Sequence, residues 1–159
     1  MRESDREPLS LPLSALISEA TVQARVTVRS WEEAADYVGQ LLLKAGKVQA
    51  SYISAMKRAL IEMGPYAVIA PGIALLHARP EDGVVEPCLG LITLSEPVRF
   101  GHSQNDPVDI VFALGATDKR SHILALQQLG LLLGKEEKLK AIRAAQLGHA
   151  LVEIISVMG

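Results

Sequence analysis

A chain of 159 residues is about one domain long, and its 49% hydrophobic residues can bury a sizeable core, which excludes a disordered protein. Sixteen basic against eighteen acidic side chains leave a formal charge of −2, and the aromatics are three Tyr, two Phe and one Trp. That balance gives neither the basic face nor the stacking rings of a nucleic-acid binder, and no apolar run approaches the roughly eighteen residues of a membrane span.

The opening MRESDREPLS mixes both charge signs and lacks the apolar core of a signal peptide. A lone cysteine makes no internal disulfide, and together these features point to a cytoplasmic domain. Residues 1–20 show no clear period and read either as a loosely packed lead-in or as a short helix; the folded domain is expected over 21–159. ARVTV (24–28) alternates and is β-branched, as a short edge strand does. Ser30 and Glu33 have capping-box spacing, and the helix they open carries Trp31, Ala34, Ala35, Val38, Leu41 and Leu42 on one stripe before Gly46. A second helix spans about 50–63, with Ile53, Met56, Leu60 and Met63 expected inward and Gly64-Pro65 closing it.

YAVIA and IALL then flank Pro71-Gly72, followed by CLGLITL (88–94) and VDIVFALG (108–115). The last two are apolar without alternation, as central strands covered on both faces are. SEPVRFGHSQNDP between them reads as a loop. Thr117 or Asp118 caps a further helix with Leu126, Leu129 and Leu133 inward. KEEKLKAIRAA and GHALVEIISVM supply two more, the last through Leu151, Ile154, Ile155 and Met158. The expected fold is a single α/β domain, a mixed β-sheet with helices packed on both faces.

The four histidines, His77, His102, His122 and His149, have no metal-ligand spacing, and no cysteine pair completes a zinc site. No metal and no cofactor are therefore expected. Neither a GxxxxGK phosphate loop nor a GxSxG elbow occurs, which removes support for an NTPase or an α/β-hydrolase. Cys88 opens an apolar strand and reads as a buried thiol. His102 in its polar loop reads as solvated, and His149 as a surface or capping residue.

His77 ends the run IALL, where the chain turns through Arg79 and PEDG. It is either a strand-end histidine bonded to a loop carbonyl or an imidazole presented at a site. His122 shares an apolar face with Leu126 and Leu129, so it is either a core histidine or a neutral ring beside a helix N-terminus that favours anions. Should strand IALL end and the 118–133 helix begin at one edge, the two rings would face a single anionic group.

GPYAVIAPGIALLHARPEDGV, together with CLGLITLSEPVRFGHSQNDPVDIVFALGATDKRSHILALQQLGLLL, closely resembles the enzyme IIA components of the sugar phosphotransferase system. The similarity is to the mannitol/fructose type, most of all its ascorbate branch, and covers roughly residues 31–158. The resemblance implies a phosphotransferase with a phosphohistidine intermediate. His77 would accept the phosphoryl group (as a tele-phosphohistidine) from the histidine phosphocarrier protein HPr and pass it to a cysteine of a IIB component. His122 would stabilise the phosphoryl group. The IIB component would then serve sugar uptake, L-ascorbate by branch, through a membrane IIC transporter, with IIB and IIC as separate chains. A stand-alone regulator controlled by its phosphorylation state is the alternative. Two positions depart from the mannitol-like pattern. Leu76 stands where a proline usually precedes the active histidine, and the helix arginine associated with phosphate falls near Glu62, with Arg58 a turn away. Arg79 is left as the phosphate-binding candidate. The role also implies an apolar docking surface around His77, with Leu76 and Ile73 as candidate members.

Overall fold

The computed structural model describes residues 11–156. Five strands form one mixed sheet in the order β1-β4-β5-β3-β2: β1 (Val22–Val26), β2 (Val68–Ala70), β3 (Ile73–Leu76), β4 (Cys88–Val98) and β5 (Val108–Gly115). The pairs β1–β4 and β3–β5 are parallel, whereas β4–β5 and β2–β3 are antiparallel. The expected architecture is therefore present.

Alternation along the central strands builds two cores. Val111 and Ala113 face the core that α2 (Trp31–Lys44) and α3 (Ala50–Met63) cover. Ile110, Phe112 and Leu114 face the other. That second core is closed by α1 (Leu13–Leu16), α4 (Lys119–Leu133), α5 (Glu136–Ala144) and α6 (Gly148–Ser156). Strands buried on both faces need apolar residues at every position, which is why β5 shows no period of two in its sequence. Gly90 lets α2 approach β4 closely, since a Cβ there would lie 2.9 Å from Val38 Cγ2.

Several local expectations shift. The edge strand begins at Val22 and ends at Val26, with Arg25 in the left-handed region at φ 59° and its N–H donated to Thr93 Oγ1 at 2.8 Å. Ser30 Oγ accepts the Glu33 N–H as expected, but the Glu33 carboxylate takes the Arg29 N–H, one residue earlier than a capping box requires. Strand β4 runs on to Val98, into the stretch expected to be loop. Ile53 and Met56 are buried on the inner face of α3 as expected and Leu60 packs against the core partly buried, but Met63 is exposed, and Tyr52 and Ala55 complete that face. The described part of the lead-in is integral to the second core, where Leu13, Leu16 and Ile17 are buried. Gln128 of α4 pins it, accepting the Leu13 N–H and donating to the Leu11 carbonyl. Met158 lies outside the described residues.

Candidate functional site

Because β3 and β5 are adjacent and parallel, both leave the sheet at one edge, with Leu76 paired to Ala113 as the last ladder step. The next residue after β3 is His77. After β5, Ala116 and Thr117 lead directly into α4, where Asp118 Oδ1 accepts the Ser121 N–H at 2.8 Å. Asp118 is thus the cap that the sequence left open against Thr117, and it fixes where the first turn presents His122. The topology meets the condition set for the two histidines. Their ring centroids are 5.0 Å apart with planes inclined at 50°. The C-terminal ends of parallel strands are where α/β sheets commonly form their sites.

Each ring has a distinct electrostatic setting. His77 Nδ1 lies 3.2 Å from the Leu75 carbonyl oxygen. A carbonyl only accepts, so in the neutral ring this contact places the proton on Nδ1 and the lone pair on Nε2. His122 is half-buried, and desolvation, followed by the neighbouring His77, holds its imidazolium pKa below the ordinary histidine value. The N-terminal turn of α4 acts in the same direction. The lowered pKa favours the neutral ring of His122, which retains one N–H able to donate a hydrogen bond.

A cleft of about 550 Å³ borders His77. One wall is α3 from Ala55 onward, which contributes Ala55, Arg58, Ala59, Glu62 and Met63, and Tyr66 also lines it. Met63 and Tyr66 are 64% and 76% exposed, large apolar surfaces beside the histidine. The expected docking members Leu76 and Ile73 are instead fully buried, because β3 is a central strand covered on both sides. The exposed apolar surface comes from α3 and the turn after it.

Arg79 also borders the cleft, with its guanidinium turned onto neighbouring acids, Asp82 at 3.4 Å and Glu81 at 3.8 Å. Asp82 accepts the Arg79 backbone N–H at 3.0 Å, the largest influence holding its carboxyl below the usual range. Arg58 adds attraction from the facing helix. Arg58 and Glu62, the two residues near the departed arginine position, thus both line the cleft.

The remaining expectations fall outside the site. Cys88 is buried, and burial pushes its thiol up to about 12, so it is inert at neutral pH. His149 is exposed at the start of α6. His102 is more than a solvated residue, because its Nδ1 accepts the Gln104 and Asn105 N–H groups and organises that turn.

Tyr52 was missing from the sequence-derived candidates. Its ring is fully buried, and its hydroxyl lies between the two arms of the site, 2.6 Å from the Leu114 carbonyl and 2.9 Å from the Ala78 nitrogen. Burial raises its phenol pKa far above the ordinary value, so the group stays a protonated donor. The signal available was a tyrosine four residues before Met56 on an inward face, where a buried hydroxyl requires a polar partner.

Two histidines thus meet at one edge of a mixed sheet covered by helices on both faces, and the family match places this arrangement in a phosphotransferase component. The chain belongs to the family described as the phosphoenolpyruvate-dependent sugar phosphotransferase system, EIIA 2, whose model matches residues 15–157. It is 33% identical over 142 residues to the ascorbate-specific PTS system EIIA component of Escherichia coli (strain K12), covering 89% of this chain and 92% of that one. The solution structure of the mannitol-specific cryptic phosphotransferase enzyme IIA CmtB from Escherichia coli superposes with a TM-score of 0.80 at 33% identity, over 92% of this chain and 99% of that one. The fold is also that of the Escherichia coli mannitol enzyme IIA solved in complex with phosphorylated enzyme IIB (TM-score 0.77, 22% identity, 88% and 96% coverage). No helix among the described residues is long and apolar enough to cross a membrane.

Proposed function

We propose that this chain is a cytoplasmic phosphohistidine carrier, charged by HPr on Nε2 of His77 and discharged to a cysteine of a separate IIB component. The observation that carries the reading is the Nδ1 contact with the Leu75 carbonyl, which leaves Nε2 as the unprotonated nitrogen, in a ring 5.0 Å from His122. The Nε2 lone pair forms the new N–P bond while the donor imidazole leaves with the electrons of the old one. Positive charge then develops on the His77 ring, and the Leu75 carbonyl stabilises it through the Nδ1–H. Transfer through a loose transition state is mainly a matter of position and charge, and a neutral His122 can donate a hydrogen bond to a phosphoryl oxygen. In the discharge step a IIB thiolate attacks phosphorus, the S–P bond forms, and His77 leaves as neutral imidazole.

Arg79 adds positive charge at the cleft rim, although Asp82 and Glu81 offset part of it. Two partners must use one histidine in turn, which suits a modest exchangeable interface built on Met63, Tyr66 and the α3 wall. The IIB component would in turn supply sugar uptake through a IIC transporter. L-ascorbate is the proposed cargo, on the strength of the ascorbate-specific relative.

The test is intact-mass spectrometry after incubation with phosphoenolpyruvate, enzyme I and HPr. The expected result is one acid-labile phosphoryl addition to the wild type that is absent from His77→Gln. No addition to the wild type, with the donors shown active on another IIA protein, overturns the carrier reading; addition that survives His77→Gln overturns the assignment of the residue.

A further inference from the structure

The β3–β5 ladder stops at Leu76 and Ala113, because the chain turns away at His77 to bring its ring out of the sheet. That divergence leaves the Ala78 N–H and the Leu114 carbonyl without a direct partner across the ladder. Both go to one atom. Tyr52 Oη accepts the Ala78 N–H at 2.9 Å and lies 2.6 Å from the Leu114 oxygen, to which its single proton is donated. The Ala78 oxygen, at 3.3 Å, is the poorer acceptor.

The bridge is anchored to the helix that walls the cleft. Ser51 donates to the Asp82 carbonyl at 3.0 Å, and the Gln49 N–H donates to the Gly83 carbonyl at 2.7 Å. Gly83, at φ 134°, sits so close to α3 that a Cβ would meet Ser51 Oγ at 2.7 Å and the Tyr52 nitrogen at 3.1 Å. The turn after His77 is therefore tied to the start of α3 at both ends, and Tyr52 ties that assembly to the strand end feeding α4.

We propose that Tyr52 is a positioning residue for phosphoryl transfer: its hydroxyl joins the His77 segment to the strand end that leads to His122 and so sets the two imidazoles relative to each other. This rests on the carrier reading of His77. A tyrosine that only filled the core would find any buried partner for its hydroxyl. This one joins the two main-chain groups that flank the histidine arms, where the sheet itself has stopped joining them.

The experiment compares wild type with Tyr52→Phe in the full chain by two readouts. The first is NMR of the unphosphorylated protein, in which the wild type shows nuclear Overhauser contacts between the His77 and His122 rings and Tyr52→Phe loses them. The second is phosphoryl transfer from HPr, in which kcat falls about tenfold to a hundredfold while KM changes little, because misplacement of reacting groups acts on the chemical step. Leu151→Val, a change in the other core, is the stability control and keeps the wild-type kcat. Retention of the ring contacts and of kcat in Tyr52→Phe overturns the proposal, as does an equal fall in the control. Should Tyr52→Phe not fold, hydrogen exchange in the wild type decides. An Ala78 amide protected like the sheet interior supports the bridge, and one exchanging as fast as an exposed amide overturns it. A wild type that accepts no phosphoryl group defeats the carrier reading instead, while the ring contacts still report whether Tyr52 sets the histidine pair.

Discussion

His77 and His122 come from different elements, one just past a strand and the other on the first turn of a helix, yet their rings lie 5.0 Å apart. The parallel pairing of β3 with β5 produces this, since it brings both carboxyl ends to one edge. If His122 donates a hydrogen bond to the transferring group, His122→Ala should lower the phosphorylation rate of His77 by about a hundredfold, the loss typical of a single oxyanion donor. His122→Gln, which retains an N–H donor, should recover part of it. Rapid-quench measurement with phosphorylated HPr checks this, and equal rates for the two variants would remove the hydrogen bond from the account.

Arg79 has a weaker part in the proposed transfer. Its side chain is 75% exposed and engaged by Asp82, so in the proposed carrier it would act at the rim as a point of attraction rather than as a buried clamp. Arg79→Glu should raise KM for the phosphorylated donor about tenfold and leave kcat nearly unchanged, as rim charges act chiefly on association. The difference between the variants should shrink as salt is raised. A fall in kcat with constant KM would instead put Arg79 on the phosphoryl oxygens in the transition state.

Asp118 joins fold and site through one hydrogen bond, since its carboxylate accepts the Ser121 N–H one residue before His122. Asp118→Ala should cost about 1 kcal/mol of stability, the usual value for a lost N-cap. Asp118→Asn, still able to accept, should cost less. Urea denaturation checks the magnitude. A cost near zero for the alanine variant would mean that water replaces the cap without loss.

Much of this arrangement was readable in the residues. The continuous apolar runs marked central strands, the capping residues located α2 and α4, and the abrupt end of IALL located His77. What the sequence withheld has a common physical cause. Strand order is set by packing among distant segments, so the meeting of His77 with His122 followed only once β3 lay beside β5. The inward face of α3 was misread at Met63, where the end of the helix lines the cleft and stands exposed, whereas Leu60 keeps a partly buried place against the core. Tyr52 escaped notice because its partners are backbone groups, and main-chain carbonyls and amides leave no trace in composition. The end of β4 was hidden by Ser95, Glu96 and Pro97, polar and turn-forming residues that an exposed strand extension tolerates.

The lowered pKa of His122 fixes the sign of a pH effect. The ring's folded-state value lies below its unfolded one because burial, and secondly His77, oppose the cation. Between the two values the unfolded chain binds more protons, so stability rises with pH there. The contribution is complete above about 6.5, the ordinary histidine value, and is lost as the pH falls through the lowered folded value. Urea midpoints measured between pH 8 and pH 5 should therefore decline, and His122→Gln should flatten part of that decline. Phosphorylation of His77 should reverse the local balance, since a nearby phosphoryl dianion favours the imidazolium. NMR titration of the phosphorylated protein should show the His122 midpoint moved upward from its unphosphorylated value. A midpoint that stays in place would mean that the phosphoryl group points away from His122 and that its hydrogen-bond donor lies elsewhere.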